Sequence, residues 1–308
     1  YYHLGSYDEA VILLDRVERR FRSTQFLASV PFWKGLANYY AGNREAATEE
    51  FSRFLESPGG AEGVYQAHLY RGILRREAGL SAGAAEDFEA ATAAMEPEIG
   101  GYARALWAEL RYDQGAYESL VSSYEEDRWG TEELGPWTEE VLFYLGDAYF
   151  ELGRLDEAEQ VLASIEPDPE KRELTAAIYQ RRFTIAQRQE REVRPILQEA
   201  EERLAGEVGV LQEFWLQVGD ERYREGATDL AEFYFRRVWD LRGRTEISGA
   251  APLYLSRILV NEGQPEDAKM ILQEALELRL EPRDEITLAL AGLYVDAGQY
   301  SQAQPLLE

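Results

Sequence analysis

The chain has 308 residues, enough for two ordinary domains or one long array, and 45% of them are apolar, enough to build a core. Its net charge of −26 repels nucleic acid and anionic membranes and favours cationic partners; solubility or a salt-adapted proteome also accounts for it. Cysteine is absent, which excludes disulfides, thiolate metal sites and a Cys nucleophile, and leans the compartment towards a bacterial periplasm or cell envelope over cytoplasm.

Along the chain, glycines punctuate helical patterns at a near-constant interval. Gly5, Gly42, Gly79, Gly115, Gly153, Gly226, Gly263 and Gly298 are separated by 37, 37, 36, 38, 73, 37 and 35 residues, the gap of 73 being two periods with Arg188 near the missing turn. Five residues after each glycine stand Ala10, Ala47, Ala84, Leu120, Ala158, Ala231, Ala268 and Ala303. Nine residues after it stand Leu14, Phe51, Phe88, Tyr124, Leu162, Phe235, Leu272 and Leu307. A small side chain lets a second helix lie close against a first, and a large one is the knob that locks it. Gly ends the first helix by taking a left-handed backbone at little cost, and acidic residues follow in the first turn of the second helix, as in RLDEA after Gly153.

The stretch 139–165 carries the pattern most completely, with Leu142, Leu145, Gly146 and Tyr149 before Gly153 and Ala158, Leu162 and Ile165 after it. It resembles a tetratricopeptide repeat, a helix–turn–helix unit of about 34 residues, and Trp215, Val218 and Gly219 before Gly226 match as well. The resemblance implies an all-α, right-handed α-solenoid superhelix of about eight and a half repeats and about 17 helices. The copies run approximately 1–22, 23–60, 61–97, 98–128, 129–170, 171–206, 207–247, 248–282 and 283–308, as a single domain over 1–308.

The sixth copy departs from the pattern. Arg188 replaces the turn Gly and Val193 the small Ala. Pro195 falls where a second helix should already be under way, which predicts a late-starting or bent helix near 187–196 and an altered superhelical step. The connections 128–138 and 242–252 are longer than the rest and read as loops. Both ends interrupt a repeat without a capping helix, so the natural protein is expected to continue beyond one or both.

Catalytic chemistry is not visible. The two histidines, His3 and His68, are 65 residues apart, and a metal centre needs three converging ligands. Glu pairs such as 49–50 and 139–140 read as solvated helix faces, and Gly59-Gly60 and Gly100-Gly101 lack the strand and the Lys of a phosphate loop. No catalytic residue, cofactor or metal is expected. No run approaches 18 apolar residues, so direct membrane insertion is not expected either. Nucleic acid is excluded by the charge; pentatricopeptide repeats, of similar period, read RNA and are basic.

The resemblance implies a non-enzymatic scaffold or adaptor that binds a partner protein on the concave face lined by first helices. Lining positions nine, six, three and two residues before the turn hold Trp33, Tyr70, Tyr144 and Tyr254; Asp147 and Asp220; Tyr39, Tyr112, Phe150 and Tyr223; and Glu151. With Glu140 and Phe143 they make an aromatic, acidic groove suited to a basic or apolar partner segment. The same residues also suit packing between neighbouring repeats. A partner's C-terminal carboxylate is excluded, because its Lys, Asn and Arg clamp is missing. Self-association through the solenoid ends, or a regulatory module of a longer protein, remain the alternatives. Charge is uneven: residues 124–170 hold 15 acidic and 2 basic residues, whereas 171–206 hold 6 acidic and 8 basic.

Overall fold

The computed structural model describes residues 6–21, 27–58, 63–126, 134–166, 168, 170–241 and 249–307. These residues form seventeen α-helices and no strand. Gly5, His3, Gly59-Gly60 and most of both long connections lie outside them. The helices group into two compact units, Tyr1–Glu166 and Pro167–Glu308.

The first unit holds α1 (Tyr7–Arg20) and four hairpins: α2 (Val30–Ala41) with α3 (Arg44–Glu56), α4 (Val64–Glu77) with α5 (Ser81–Ala91), α6 (Tyr102–Asp113) with α7 (Tyr117–Glu125), and α8 (Thr138–Glu151) with α9 (Leu155–Ala163). The second holds four more: α10 (Arg172–Arg188) with α11 (Arg194–Leu204), α12 (Val208–Arg224) with α13 (Thr228–Asp240), α14 (Ala250–Asn261) with α15 (Pro265–Glu277), and α16 (Arg283–Asp296) with α17 (Tyr300–Leu307). Within each unit a hairpin packs on the next, α3 on α4, α5 on α6, α13 on α14 and α15 on α16, so the fold is an α-solenoid.

The small-and-large pattern becomes the core. Ala47, Ala84, Leu120, Ala158, Ala231, Ala268 and Ala303 are buried, as are Phe51, Phe88, Leu162, Phe235 and Leu272. Leu307 is 59% exposed. Four of these knobs, Phe51, Phe88, Leu162 and Phe235, meet a glycine on the first helix. A Cβ built on Gly219 would lie 2.7 Å from the Phe235 ring, and one on Gly72 would lie 2.6 Å from Phe88. Gly at that position is therefore a packing requirement of the crossing, and burying the ring contributes about 1.5–3 kcal/mol.

All seven described turn glycines have φ between 68° and 82°. After Gly226 the chain closes in a paired-bond cap, the Gly226 N–H donating to the Tyr223 carbonyl at 3.1 Å and the Ala227 N–H to that of Arg222 at 3.0 Å.

The hairpin of the sixth copy, α10 with α11, keeps this cap without the glycine. Glu190, not Arg188, takes the left-handed turn, with φ 53°. Its N–H donates to the Gln187 carbonyl at 3.0 Å, and that of Arg191 to Ala186 at 2.8 Å. Placing the turn at residue 190 divides the gap of 73 into 37 and 36. The second helix starts late, as expected: α11 begins four residues after its turn residue, whereas α13 begins two after Gly226. Pro195 is the second residue of α11, where its missing N–H costs no helical bond.

Candidate functional site

The expected lining residues sort into rings shared between adjacent first helices and carboxylates around them. In the first unit the Tyr39 ring lies 4.7 Å from Tyr70, and Tyr40 and Tyr70 share a hydroxyl hydrogen bond of 2.9 Å. Tyr70 also stacks on the Phe51 knob at 6.0 Å. Two hairpins on, Tyr112 lies 5.8 Å from Tyr144, which meets Phe143 edge-on at 5.6 Å. In the second unit Tyr223 meets Tyr254 at 5.7 Å, and Tyr254 stacks on Phe235 at 4.5 Å. The ring three before one turn thus touches the ring nine before the next, so these side chains pack repeats together while one edge stays half-exposed. Trp33 is 46% exposed.

Two of the expected wall residues do not face solvent. Asp147 and Phe150 are only 4% and 3% exposed. The buried residues of α8 run all round its second half, from Leu145 to Phe150, so the offset that places these two on one face of the helix does not leave them open. Glu140, Phe143 and Tyr144 are partly open and Glu151 is exposed.

The acidic character of this wall is local. Burial first, and then the carboxylates of Glu109 and Asp113, push the Tyr144 phenol up to about 12, with Arg76 acting the other way. Arg76 donates to Glu109 at 2.6 Å. In the second unit the wall differs. Asp220 accepts from the Tyr254 hydroxyl at 2.9 Å and is ion-paired with Arg224. A shallow cleft of about 320 Å³ beside Tyr223 is lined also by Ser256, Arg257, Val260, Asn261 and Leu293.

Tyr40, Glu109 and Arg257 stand beside these rings although they are not among the expected lining residues. Glu109 and Arg257 stand six before their turns, the offset read at Asp147 and Asp220, and that offset was the signal available. Tyr40 stands two before Gly42, where only carboxylates were sought.

Two buried charge clusters stiffen the first unit behind the rings. Lys34 on α2 meets Glu50 of α3 at 2.5 Å and Asp15 of α1 at 2.9 Å. Burial disfavours its charge, but hydrogen bonds to Glu50 and Asp15 outweigh that and hold its pKa well above the usual lysine range. Asp87 on α5 is 1% exposed and accepts from Arg71 at 2.6 Å, Arg75 at 2.8 Å and His68 at 2.8 Å, all on α4. Burial would raise its pKa, yet the His68 and Arg71 hydrogen bonds and the two guanidinium charges outweigh it and hold the carboxyl below its ordinary range. Every partner of these ions is accounted for within one hairpin or its neighbour, which is the arrangement of structural ties.

Among the described residues no group of three His, Asp or Glu side chains could hold a metal ion, and no helix is long and apolar enough to cross a membrane.

Residues 102–171 match the family model described as Tetratricopeptide repeat. No curated protein matches the chain. Among solved structures, the C-terminal part of a repeat-containing protein from Cytophaga hutchinsonii aligns with a TM-score of 0.53 and 13% identity, over 81% of this chain and 96% of that one. A tetratricopeptide repeat protein from Parabacteroides merdae aligns with a TM-score of 0.48 and 15% identity, over 87% and 98%. A signal-transduction ATPase with a tetratricopeptide repeat sensor from Pyrococcus horikoshii aligns at 0.44 and 13%, over 94% and 52%. Residues 102–171 thus match the tetratricopeptide repeat, and the stacked helical hairpins on either side of them continue its spacing.

Proposed function

We propose that this chain is a non-enzymatic scaffold that holds a basic or apolar segment of a partner protein against the first helices of its first unit. The tetratricopeptide-repeat fold is generally a protein–protein interaction scaffold, and its members commonly bind protein partners. The observation that carries the finer reading is the Tyr112–Tyr144–Phe143 ring group with Glu109, Asp113, Glu140 and Glu151 close by on the same pair of helices. Half-exposed rings offer large contact area at low entropy cost, and the carboxylates select cationic neighbours. Exposed charge pairs contribute about 0–1 kcal/mol each and are screened by salt, so the rings supply most of the affinity.

The test is titration of a Lys- and Leu-rich peptide and its Glu-for-Lys counterpart onto the protein. The reading expects the basic peptide to bind more tightly. It also expects Phe143→Ala to weaken binding about tenfold, the signature of an anchoring ring, and Asp113→Asn less than about threefold. Preference for the acidic peptide, or indifference to Phe143→Ala, contradicts it.

One observation favours a second reading, self-association through exposed apolar side chains of the last hairpin. On α16, Leu288 is 65% exposed and Val295 41% exposed, seven residues apart on one side of the helix. Light scattering that reports a monomer at all concentrations removes this reading.

A further inference from the structure

The late start of α11 has a spatial counterpart on the other side of the second unit. Between α11 and α13 lies a cleft of about 500 Å³, within the range of pockets that bind ligands. One wall is Val193, which precedes α11, and Leu197 of α11; the other is Leu230 and Phe233 of α13, and Trp215 and Tyr234 form the floor. The floor rings stack at 5.5 Å with an interplanar angle of 8° and are buried, at 1% and 3% exposure. The upper rim is not: Leu230 is 49% exposed and Phe233 50%. Large apolar side chains half in solvent over a rigid aromatic floor are the chemistry of an anchor pocket.

The shape points to a helix as occupant. The lining residues on the α11 side run from Val193 to Glu201 and those of α13 from Leu230 to Arg237, about two turns, or roughly 12 Å, on each side. Apolar side chains four apart on an added amphipathic helix reach both halves of such a groove.

The charge points to an acidic one. Arg194 is exposed at the N-terminus of α11 and has no ion-pair partner among the described residues. The positive end of the α11 dipole adds to its field. Arg237 lies over the Trp215 ring at 4.7 Å and the Phe233 ring at 5.4 Å. It is paired with Glu201, and on the outer face Glu232 is neutralised by Arg236 at 2.8 Å. The cleft lining therefore holds two arginines, Arg194 and Arg237, against one carboxylate, Glu201, in a chain of −26, and only its α11 side belongs to the copy in which bases outnumber acids by 8 to 6.

We infer that this cleft is a second protein-binding site, which takes an acidic amphipathic helix of a partner. Two apolar side chains at i and i+4 enter between Leu197 and Phe233, and a carboxylate meets Arg194. Its walls are the second helices α11 and α13 of the second unit, and it shares no residue with the ring group of α6 and α8.

The probes are two synthetic helical peptides of about 16 residues. Both carry Leu and Phe four apart; one is flanked by Glu and the other by Lys. Fluorescence anisotropy on the whole chain is expected to show the Glu peptide binding at least about tenfold tighter. Phe233→Ser is expected to lower that affinity about tenfold, and Arg194→Glu to abolish the preference; both side chains are exposed, so the fold stays intact. Phe143→Ala is expected to leave this binding unchanged. Preference for the Lys peptide, absence of binding at about 1 mM, or binding indifferent to Phe233→Ser overturns the inference. A concentration-dependent dimer that Phe233→Ser dissociates also overturns it, since the occupant would then be a second copy.

Discussion

In the seventh copy α12 offers Gly219 and α13 fills the space with Phe235. In the sixth, α10 supplies the large ring, Phe183, and α11 the small residue, Ala200; both are 0% exposed and belong to one buried cluster. The turn residue differs too, Gly226 in one and Glu190 in the other, yet both close with the same pair of backbone bonds. What the hairpin requires is therefore one large and one small residue across the crossing and one left-handed residue at the turn. Which helix carries the bulk is free. The exchange comes with a shift of α11, and that shift accompanies the cleft over Trp215.

The comparison is open to direct attack. Phe183→Ala and Phe235→Ala are each expected to cost roughly 3–5 kcal/mol in urea unfolding, since each leaves a small residue facing a small one. A loss under about 1 kcal/mol at Phe183 would mean that the sixth crossing does not depend on its ring.

The third copy, α4 with α5, adds a tie of a different kind, and Asp87→Ala is expected to cost about 2–3 kcal/mol by leaving the half-buried Arg71 and Arg75 without their carboxylate. The sign of its pH dependence follows from the depressed folded pKa. The stabilisation is complete above the unfolded value near 3.8 and is lost as pH falls through the folded one. The stability difference between the native chain and Asp87→Asn should thus be flat from neutral pH to about 5 and shrink below about 4.

Gly219→Ala is expected to cost about 1–3 kcal/mol, because its Cβ would sit 2.7 Å from Phe235. The smallest effect is at the turns. Glu190→Gly should stabilise by roughly 0.5–1 kcal/mol, because Glu holds a left-handed φ that Gly adopts freely, and Gly226→Ala should destabilise by a similar amount.

The hairpins were legible in the sequence because each carries its own short-range signals: a turn Gly, an Ala five on and a knob nine on. The sixth turn was misplaced by two residues because no residue type announces a left-handed Glu. The rings of Tyr39, Tyr70, Tyr112, Tyr144, Tyr223 and Tyr254 were found because helical offsets fix which side chains share a face. The same offsets also suit packing between neighbouring repeats, as an alternative to a groove role. The burial of Asp147 and Phe150 was not legible, since an offset gives direction within one helix and says nothing of how fully other helices cover it. The cleft over Trp215 was not legible either, because it depends on where α11 begins relative to α13.

The central claim is that a partner lies against the rings of α6 and α8 and brings a basic or apolar segment there. Site-specific photo-cross-linking tests it most directly, with the photoreactive residue at position 143 of α8 and, as a control on the same hairpin, at position 160 of α9. Gln160 is exposed on the second helix. The account predicts cross-links from position 143 to a Lys- or Arg-bearing stretch of one partner protein and none from position 160. Cross-links from 160 alone, or an acidic stretch captured at 143, would contradict it.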